Sequence, residues 1–160
     1  MSGPLLDPPG DGNGWHAAHI ARALASLKRV AGLDLMAAEK LDPAALGHGV
    51  WNGDFALLTH RGDAEATLNY ANRCALELWE MEWEQLAMPS RFTAPQEDRA
   101  LRDDFMRQVV TRGFVANYRG RRVSRRGRLF EIRDAIVWCL IDEDRASFGV
   151  GAYFKEVEYL

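Results

Sequence analysis

The sequence has few cysteines, no long apolar run and little net charge. Cys74 and Cys139 are its two cysteines, too few for a disulfide framework and typical of a reducing compartment. No apolar run is long enough to span a bilayer. The first residues, MSGPLLDPPGDGNG, lack the basic start and apolar segment of a signal peptide. We therefore expect a soluble cytoplasmic protein with no membrane association.

Motifs for common catalytic and metal chemistry are also missing. The sequence contains no nucleophile elbow, no HExxH and no Walker loop. His16 and His19 share one face of a predicted helix, but no third ligand for a metal accompanies them. The net charge of −3 implies no general attraction to nucleic acid or anionic lipid. We expect no catalytic residues and no metal site.

The chain of 160 residues is 48% hydrophobic, enough to build the core of one domain. Residues 1–14 hold three prolines and four glycines and are predicted to form a flexible tail. A helical extension is predicted over 15–49. Its first helix, 15–32, is amphipathic and ends at Gly32, and a weaker helical stretch, 34–46, is interrupted by Pro43.

The remainder alternates between strand and helix patterns. Residues 54–60 and 67–71 predict a β-hairpin, after which Asn72 is placed to cap a short helix. Pro95 opens a longer helix that ends at Gly113; its predicted apolar stripe is Leu101, Phe105, Val109 and Val110. Three long antiparallel strands follow. This order predicts an α+β domain with a five-stranded antiparallel sheet and helices inserted between strands 2 and 3.

The apolar stripe of the N-terminal amphipathic helix consists of Ile20, Leu24 and Leu27. Such a stripe needs a surface to cover. Two covers remain open at this point: the second apolar face of the sheet, or another protein surface in a homodimer or a complex with a protein partner.

Three segments carry a resemblance to a known family: NYANRCALELWEMEWEQLAMPSR, GRRVSRRGRLFEI and AIVWCLIDED. They resemble the MEKHLA domain family, a group related to PAS domains, over about residues 50 to 155. Members occur alone in bacteria and algae and at the C-terminus of plant homeodomain–leucine zipper regulators. The resemblance implies a PAS-like domain over 50–160. It also implies a non-enzymatic sensory or regulatory role in signalling, through a small ligand or a protein partner.

The resemblance also bears on a cofactor. In the flavin-binding light sensors of the PAS group (LOV domains), MPSRF would align with Asn-Cys-Arg-Phe, which places Ser90 at the photoreactive cysteine. A serine hydroxyl is a far poorer nucleophile than a thiolate. Cys139 and Val150 stand where relatives place amides against the ring. We therefore expect no flavin, and the identity of any other cofactor stays open.

A ligand pocket is predicted between the helices and the sheet. Bulky residues from Trp79 to Phe92 could line it, although packing of the core is the favoured interpretation of that set. The residues predicted to line the pocket are Asn72, Leu76, Trp79, Ser90, Arg91, Phe105, Ile136, Trp138 and Cys139.

Arginines are concentrated in the hairpin 119–133. As a binding surface, the hairpin would form an anion patch of Arg121, Arg122, Arg125, Arg126 and Arg128. As a solvated sheet edge, it would discourage aggregation between strands, and this interpretation is favoured. The alternative functions are a small enzyme that grips an anionic substrate and a nucleic-acid-binding protein. No aromatic residues interleave with the arginines for base stacking, so we do not expect nucleic acid.

Overall fold

The computed structural model describes residues 7–160, except the side chains of residues 37–39. Within these residues, the α-helices are α1 (Ala17–Ala31), α2 (Pro43–Trp51), α3 (Arg73–Leu78) and α4 (Arg99–Arg112). The strands are β1 (Ala56–His60), β2 (Leu68–Ala71), β3 (Phe114–Val123), β4 (Leu129–Ile141), β5 (Ser147–Phe154) and β6 (Glu156–Tyr159). Short 3-10 turns connect α3 to α4.

The strands form one antiparallel sheet in the order β2-β1-β5-β4-β3. Strand β6 pairs with β4 at Phe130–Arg133, while β3 pairs with residues 130–132 from the other side. Strand β6 therefore continues the position of β5 beyond the break at Lys155. The predicted α+β class, five strand positions, helical insertion between strands 2 and 3, and N-terminal amphipathic helix are all confirmed.

Helix α1 lies across β4 and closes one face of the sheet. Ile20, Leu24 and Leu27 are at most 3% exposed, and Ser26 donates a hydrogen bond to the Cys139 carbonyl at 2.8 Å. The Trp138 indole donates to the carbonyl of Ala23 at 3.1 Å. The apolar stripe thus covers the sheet of its own chain, and these three side chains are not available to the surface of a second copy.

Helix α2 begins where the sequence predicted an interruption. Pro43 occupies the first turn of α2, where its missing N–H costs nothing, and Asp42 caps the helix by accepting from Ala45 N at 3.3 Å. The helix continues to Trp51, past the predicted end of the helical extension at residue 49, because the glycines of GHGVWNG do not stop it.

Part of the predicted tail is packed against α2. Residues 11–16 form a 3-10 turn, and a Cβ on Gly47 would lie only 2.8 Å from the carbonyl oxygen of Gly14. Gly47 therefore permits a close approach of this turn, a contact that composition alone does not reveal. Of the predicted flexible tail, residues 1–6 lie outside the described residues.

Helix α4 is rotated relative to its predicted stripe. Phe105 and Val109 are buried, whereas Leu101 is 71% and Val110 is 67% exposed. The third residue on the buried face is Arg102, at 8% exposure. Spacings of three and four residues place 102, 105 and 109 on one side of a helix, so the buried face of α4 includes a cation.

We predict that Leu27→Ala lowers the free energy of unfolding by about 2–5 kcal/mol, because it leaves a cavity under α1. Leu33→Ala provides a matched control, since Leu33 is 41% exposed, and should cost less than about 1 kcal/mol. Urea unfolding followed by tryptophan fluorescence measures both. Equal losses for the two variants would contradict the placement of α1 on the sheet.

Candidate functional site

The predicted pocket residues do not face one cavity. Trp138 hydrogen-bonds to α1, whereas the thiol of Cys139 donates to the Val109 carbonyl of α4 at 3.5 Å. Neighbouring residues of a strand point to opposite faces, and alternation places Ile136 with Trp138. Grouping Ile136 and Trp138 with Phe105 and Cys139 in a single lining is therefore wrong. Whether any of these residues contacts a ligand stays a prediction.

Asn72 is fully buried and uses all four of its hydrogen-bonding positions. Its side-chain oxygen accepts from Leu57 N at 3.1 Å and from Ala75 N at 3.2 Å. Its amide nitrogen donates to the carbonyls of Val50 at 2.9 Å and Phe55 at 2.8 Å. The predicted helix cap is confirmed, and the saturated side chain has no group left for a ligand.

Leu76 and Trp79 belong to the main core. Both are buried, and the Trp79 indole donates to the Thr93 carbonyl at 3.4 Å. The Trp79 ring meets Phe130 edge-on, with ring centroids 5.1 Å apart. The favoured interpretation of this aromatic segment as core fits these positions, except that Phe92 is 43% exposed.

Ser90 and Arg91 point in different directions. Ser90 is 2% exposed, and its hydroxyl accepts a hydrogen bond from the Arg102 guanidinium at 2.9 Å. Arg91 pairs with Glu65 at 2.5 Å on the surface. Of the two, Ser90 alone faces the space beneath α4.

Two arginines are buried beside one another under α4. Arg102 and Arg122 are each 8% exposed, and the Nε of Arg102 has no hydrogen-bond partner among the described residues. Its paired carboxylate, Asp103, lies 3.8 Å from the guanidinium and is itself 55% exposed. Burial, followed by repulsion from Arg122, lowers the pKa of Arg102 to about 10. This is unusual, because buried charges normally have close partners.

Arg122 makes contacts with neutral groups. Its guanidinium donates to the Arg121 carbonyl at 2.8 Å and to the Tyr118 hydroxyl at 3.2 Å. The ring of Tyr118 stacks on Phe105 of α4, with centroids 3.6 Å apart. The two buried guanidinium groups are therefore held by hydroxyl and carbonyl oxygens, with little compensation of charge.

A cleft of about 460 Å³ separates α4 from β3, and we call it the α4–β3 cleft. Its lining includes Leu101, Arg102, Phe105, Tyr118 and Arg122. A groove of about 440 Å³ lies on the other side of α4 and includes His60, Arg102, Met106, Val110 and Val150. Both volumes fall in the range of small-molecule sites, and Arg102 lines both.

Two half-buried histidines have pKa values well below the ordinary value. His19 contacts the Thr59 hydroxyl at 2.9 Å. Burial, with smaller effects of His16 and Arg22, lowers the pKa of His19 to about 4. His60 donates from Nδ1 to the Arg61 carbonyl at 3.1 Å. Burial is also the main cause that lowers its pKa to about 4.

The predicted anion patch divides into four environments. Arg121 is paired with Asp98 at 2.6 Å and Glu97 at 3.3 Å, and Arg122 is buried. Arg128 lies over the Tyr159 ring, 3.6 Å from its centroid. Arg125 and Arg126 are exposed. The five residues therefore do not form one continuous surface for an anion.

The remaining expectations concern metals and membranes. His16 contacts the Asp7 carbonyl at 2.6 Å, so its direction differs from that of His19. Among the described side chains, residues 7–36 and 40–160, no group of three or more potential metal ligands comes together. No helix in the described part of the chain has the length and apolar character needed to cross a membrane.

The sheet, its helical insertion and the cleft under α4 define a PAS-type domain. The sequence pattern of the MEKHLA domain matches residues 17–159, and the chain belongs to the MEKHLA domain family. The match begins at the first residue of α1, well before residue 50, where the sequence resemblance was drawn. No curated protein matches the sequence.

Solved structures support the fold. The PAS domain of a protein from Colwellia psychrerythraea has a TM-score of 0.59 at 12% identity, covering 71% of this chain and 92% of that one. An RNA-binding light-oxygen-voltage receptor has a TM-score of 0.62 at 16% identity, and the match covers 94% of this chain but only 36% of the receptor. A LOV protein from Rhodobacter sphaeroides has a TM-score of 0.54 at 16% identity, covering 64% and 60% of the two chains.

Sequence reasoning missed Arg102 and Tyr118, and it placed Arg122 on the surface. The apolar periodicity of α4 gave no sign that an arginine would be buried. A weak signal was present, because Arg102 lies three residues before Phe105 and so shares its face.

We predict that Asn72→Ala lowers the free energy of unfolding by about 3–5 kcal/mol, because it leaves buried N–H and C=O groups unpaired. Asn72→Asp should be similarly destabilising at neutral pH, since its carboxylate would face the carbonyls of Val50 and Phe55. Asn52→Ala removes an exposed amide and serves as the control. Urea denaturation compares the three, and a minor loss for Asn72→Ala would contradict the assigned network.

We predict that stability falls as pH is lowered from about 6.5 to about 4. His19 and His60 have ordinary pKa values when unfolded and values of about 4 when folded, so the unfolded state binds more protons in this window. The loss should be about 1–3 kcal/mol for each histidine. Urea unfolding at stepped pH measures the slope. The slope should largely disappear in the double variant His19→Gln/His60→Gln, and its persistence there would contradict the assignment.

Proposed function

We propose that this chain is a non-enzymatic sensory or regulatory module that binds a small molecule in the α4–β3 cleft. The observation that carries this proposal is the pair of buried arginines in that cleft, Arg102 and Arg122, which lack close carboxylate partners. A buried charge without a partner is unfavourable in the free protein. A ligand that supplies the missing partner would therefore bind with a gain in stability.

Contacts of one residue in β4 connect α4, which borders the cleft, with α1 on the opposite face of the sheet. Cys139 of β4 contacts α4 through its thiol, and its carbonyl accepts from Ser26 of α1. A change in the position of α4 would therefore reach α1 through a single strand. We propose α1 as the output element, with a protein partner as the receiver of the signal.

Thiol chemistry and enzymatic turnover do not fit this site well. Burial raises the pKa of the Cys139 thiol, and burial followed by Glu77 and Asp54 raises that of Cys74. Both shifts favour the less reactive thiol form. The sequence alternatives, an enzyme or a nucleic-acid binder that uses the arginine hairpin, are weakened by the pairing of Arg121 with Asp98 and Glu97.

We also propose that the module carries no flavin. Ser90 stands at the position of the reactive thiol and is engaged by Arg102. Cys139 and Val150 pack with Phe105, Val109 and Val137 in an apolar cluster. Neither position supplies an amide for hydrogen bonds to an isoalloxazine ring, and a pocket depends on such polar groups for orientation.

Native mass spectrometry of the purified full chain, compared with the denatured mass, tests for a retained ligand. A thermal-shift screen with neutral, cationic and anionic small molecules tests for exchangeable ones. We expect at least one small molecule to raise Tm, and we expect a visible absorbance spectrum without flavin bands. Flavin bands would refute the cofactor proposal, and failure of every compound in both assays would refute the binding function.

Substitutions at two exposed positions on α4 distinguish binding in the α4–β3 cleft from binding in the groove on the other side of the helix. Leu101 lines the α4–β3 cleft, whereas Val110 lines the groove on the other side of the helix. Leu101→Trp should block binding because its larger side chain fills the cleft, and Val110→Trp should leave binding unchanged. The reverse result would assign binding to the other groove.

A further inference from the structure

We infer that the ligand of the α4–β3 cleft is a small oxyanion, a carboxylate or a phosphate, bound by Arg102 and Arg122. This inference rests on the proposed function and specifies its ligand class. It starts from the donors that converge under α4 and from the charges that surround them.

Arg102 has hydrogen-bonding capacity to spare. One terminal nitrogen donates to Ser90, and its Nε is buried without a partner among the described residues. A guanidinium presents its N–H groups in a planar fork that matches the two oxygens of a carboxylate or phosphate. The free Nε–H of Arg102 therefore favours an acceptor with negative charge over a neutral apolar ligand.

Tyr118 and Gly120 line the same cleft as the two buried arginines. The Tyr118 hydroxyl accepts from Arg122, which leaves the phenolic proton for another acceptor. A Cβ on Gly120 would collide with the Tyr118 hydroxyl and would lie 2.8 Å from the Arg122 guanidinium. The glycine therefore allows both groups to lie close against β3.

The carboxylates of the cleft are already engaged. Asp98 pairs with Arg121 at 2.6 Å, and Glu131 pairs with Arg119 and Arg133, each at 2.8 Å. Neither compensates Arg102 or Arg122. The cleft consequently retains positive charge in a buried environment, where electrostatic attraction is stronger than at the surface.

The cleft volume limits the ligand. About 460 Å³ accommodates a small metabolite, and the stacked rings of Phe105 and Tyr118 form an apolar side. A compact anion with a short apolar portion fits both walls. A nucleic-acid strand does not fit this arrangement, since the two buried guanidinium groups are inaccessible to an extended backbone.

Isothermal titration calorimetry and thermal shift on the full chain test this inference at constant ionic strength. The probes are inorganic phosphate, succinate and its neutral analogue succinamide. Phosphate or succinate, whichever binds, should raise Tm by about 3–6 °C when its concentration is about ten times its Kd. Succinamide should give no shift. Binding of succinamide as tight as that of succinate would overturn the inference.

Arg102→Met and Arg122→Met remove each charge while keeping an unbranched side chain. Each substitution should weaken the binding of the anion that binds the original protein by about tenfold or more. Without ligand, the Tm of Arg102→Met should equal or exceed the Tm of the original protein, because a buried uncompensated charge is removed. Arg125→Met, at an exposed arginine, is the matched control for loss of charge and should bind normally.

The outcomes separate the two proposals. Unchanged anion affinity in both cleft variants, or an equal loss in Arg125→Met, would overturn the inference and indicate general surface attraction. Should Arg102→Met fail to fold, the Arg122→Met variant and the succinate–succinamide pair still decide the question. Tight binding of neutral molecules alone would retain the proposed function and refute the oxyanion, whereas no binding of any molecule would refute both.

Discussion

The side chain of Asn72 connects more segments of this fold by hydrogen bonds than any other side chain among the described residues. Its four contacts join the end of α2, the entry to β1, the body of β1 and the first turn of α3. An asparagine can supply this combination because its amide has two donors and two acceptor positions. The position is fully buried, so each lost contact would leave a backbone group without water as a substitute. The path of the chain from the N-terminal helices into the sheet depends on this one amide.

Strand β4 connects the two sides of the molecule. Its alternating side chains contact α1 through Trp138 and α4 through Cys139, and Ser26 binds both the Cys139 carbonyl and the amide N–H of Ile141. The helix that closes the sheet and the helix that borders the cleft are thus attached to the same short segment. A packed strand transmits displacement because interiors have few voids to absorb it. This arrangement is a physical basis for the proposed transmission of a signal from α4 to α1.

The order of elements was predictable because each signal is local. Period-two alternation predicted the late strands. Glycine residues predicted the ends of α1 and α4, and Asn72 predicted the start of α3. The local rules failed at two places for identifiable reasons. Pro43 was interpreted as an interruption, although proline is also compatible with a first turn. Leu101 and Val110 fit a helical stripe, yet α4 packs with Arg102 on its buried face in their place. Apolar periodicity cannot identify a buried cation, because it counts the arginine as exposed.

The sequence alone determined the class of fold, the family and the amphipathic character of α1, since those properties follow from short-range spacing and from quoted motifs. The tertiary structure decided which faces meet. It assigned Ile20, Leu24 and Leu27 to the sheet of their own chain, separated Trp138 from Cys139, and brought Arg102 beside Arg122 from segments twenty residues apart. The physical reason is that the direction of a side chain depends on the twist and packing of whole elements. Charge compensation likewise depends on distances through space, which the linear order does not contain.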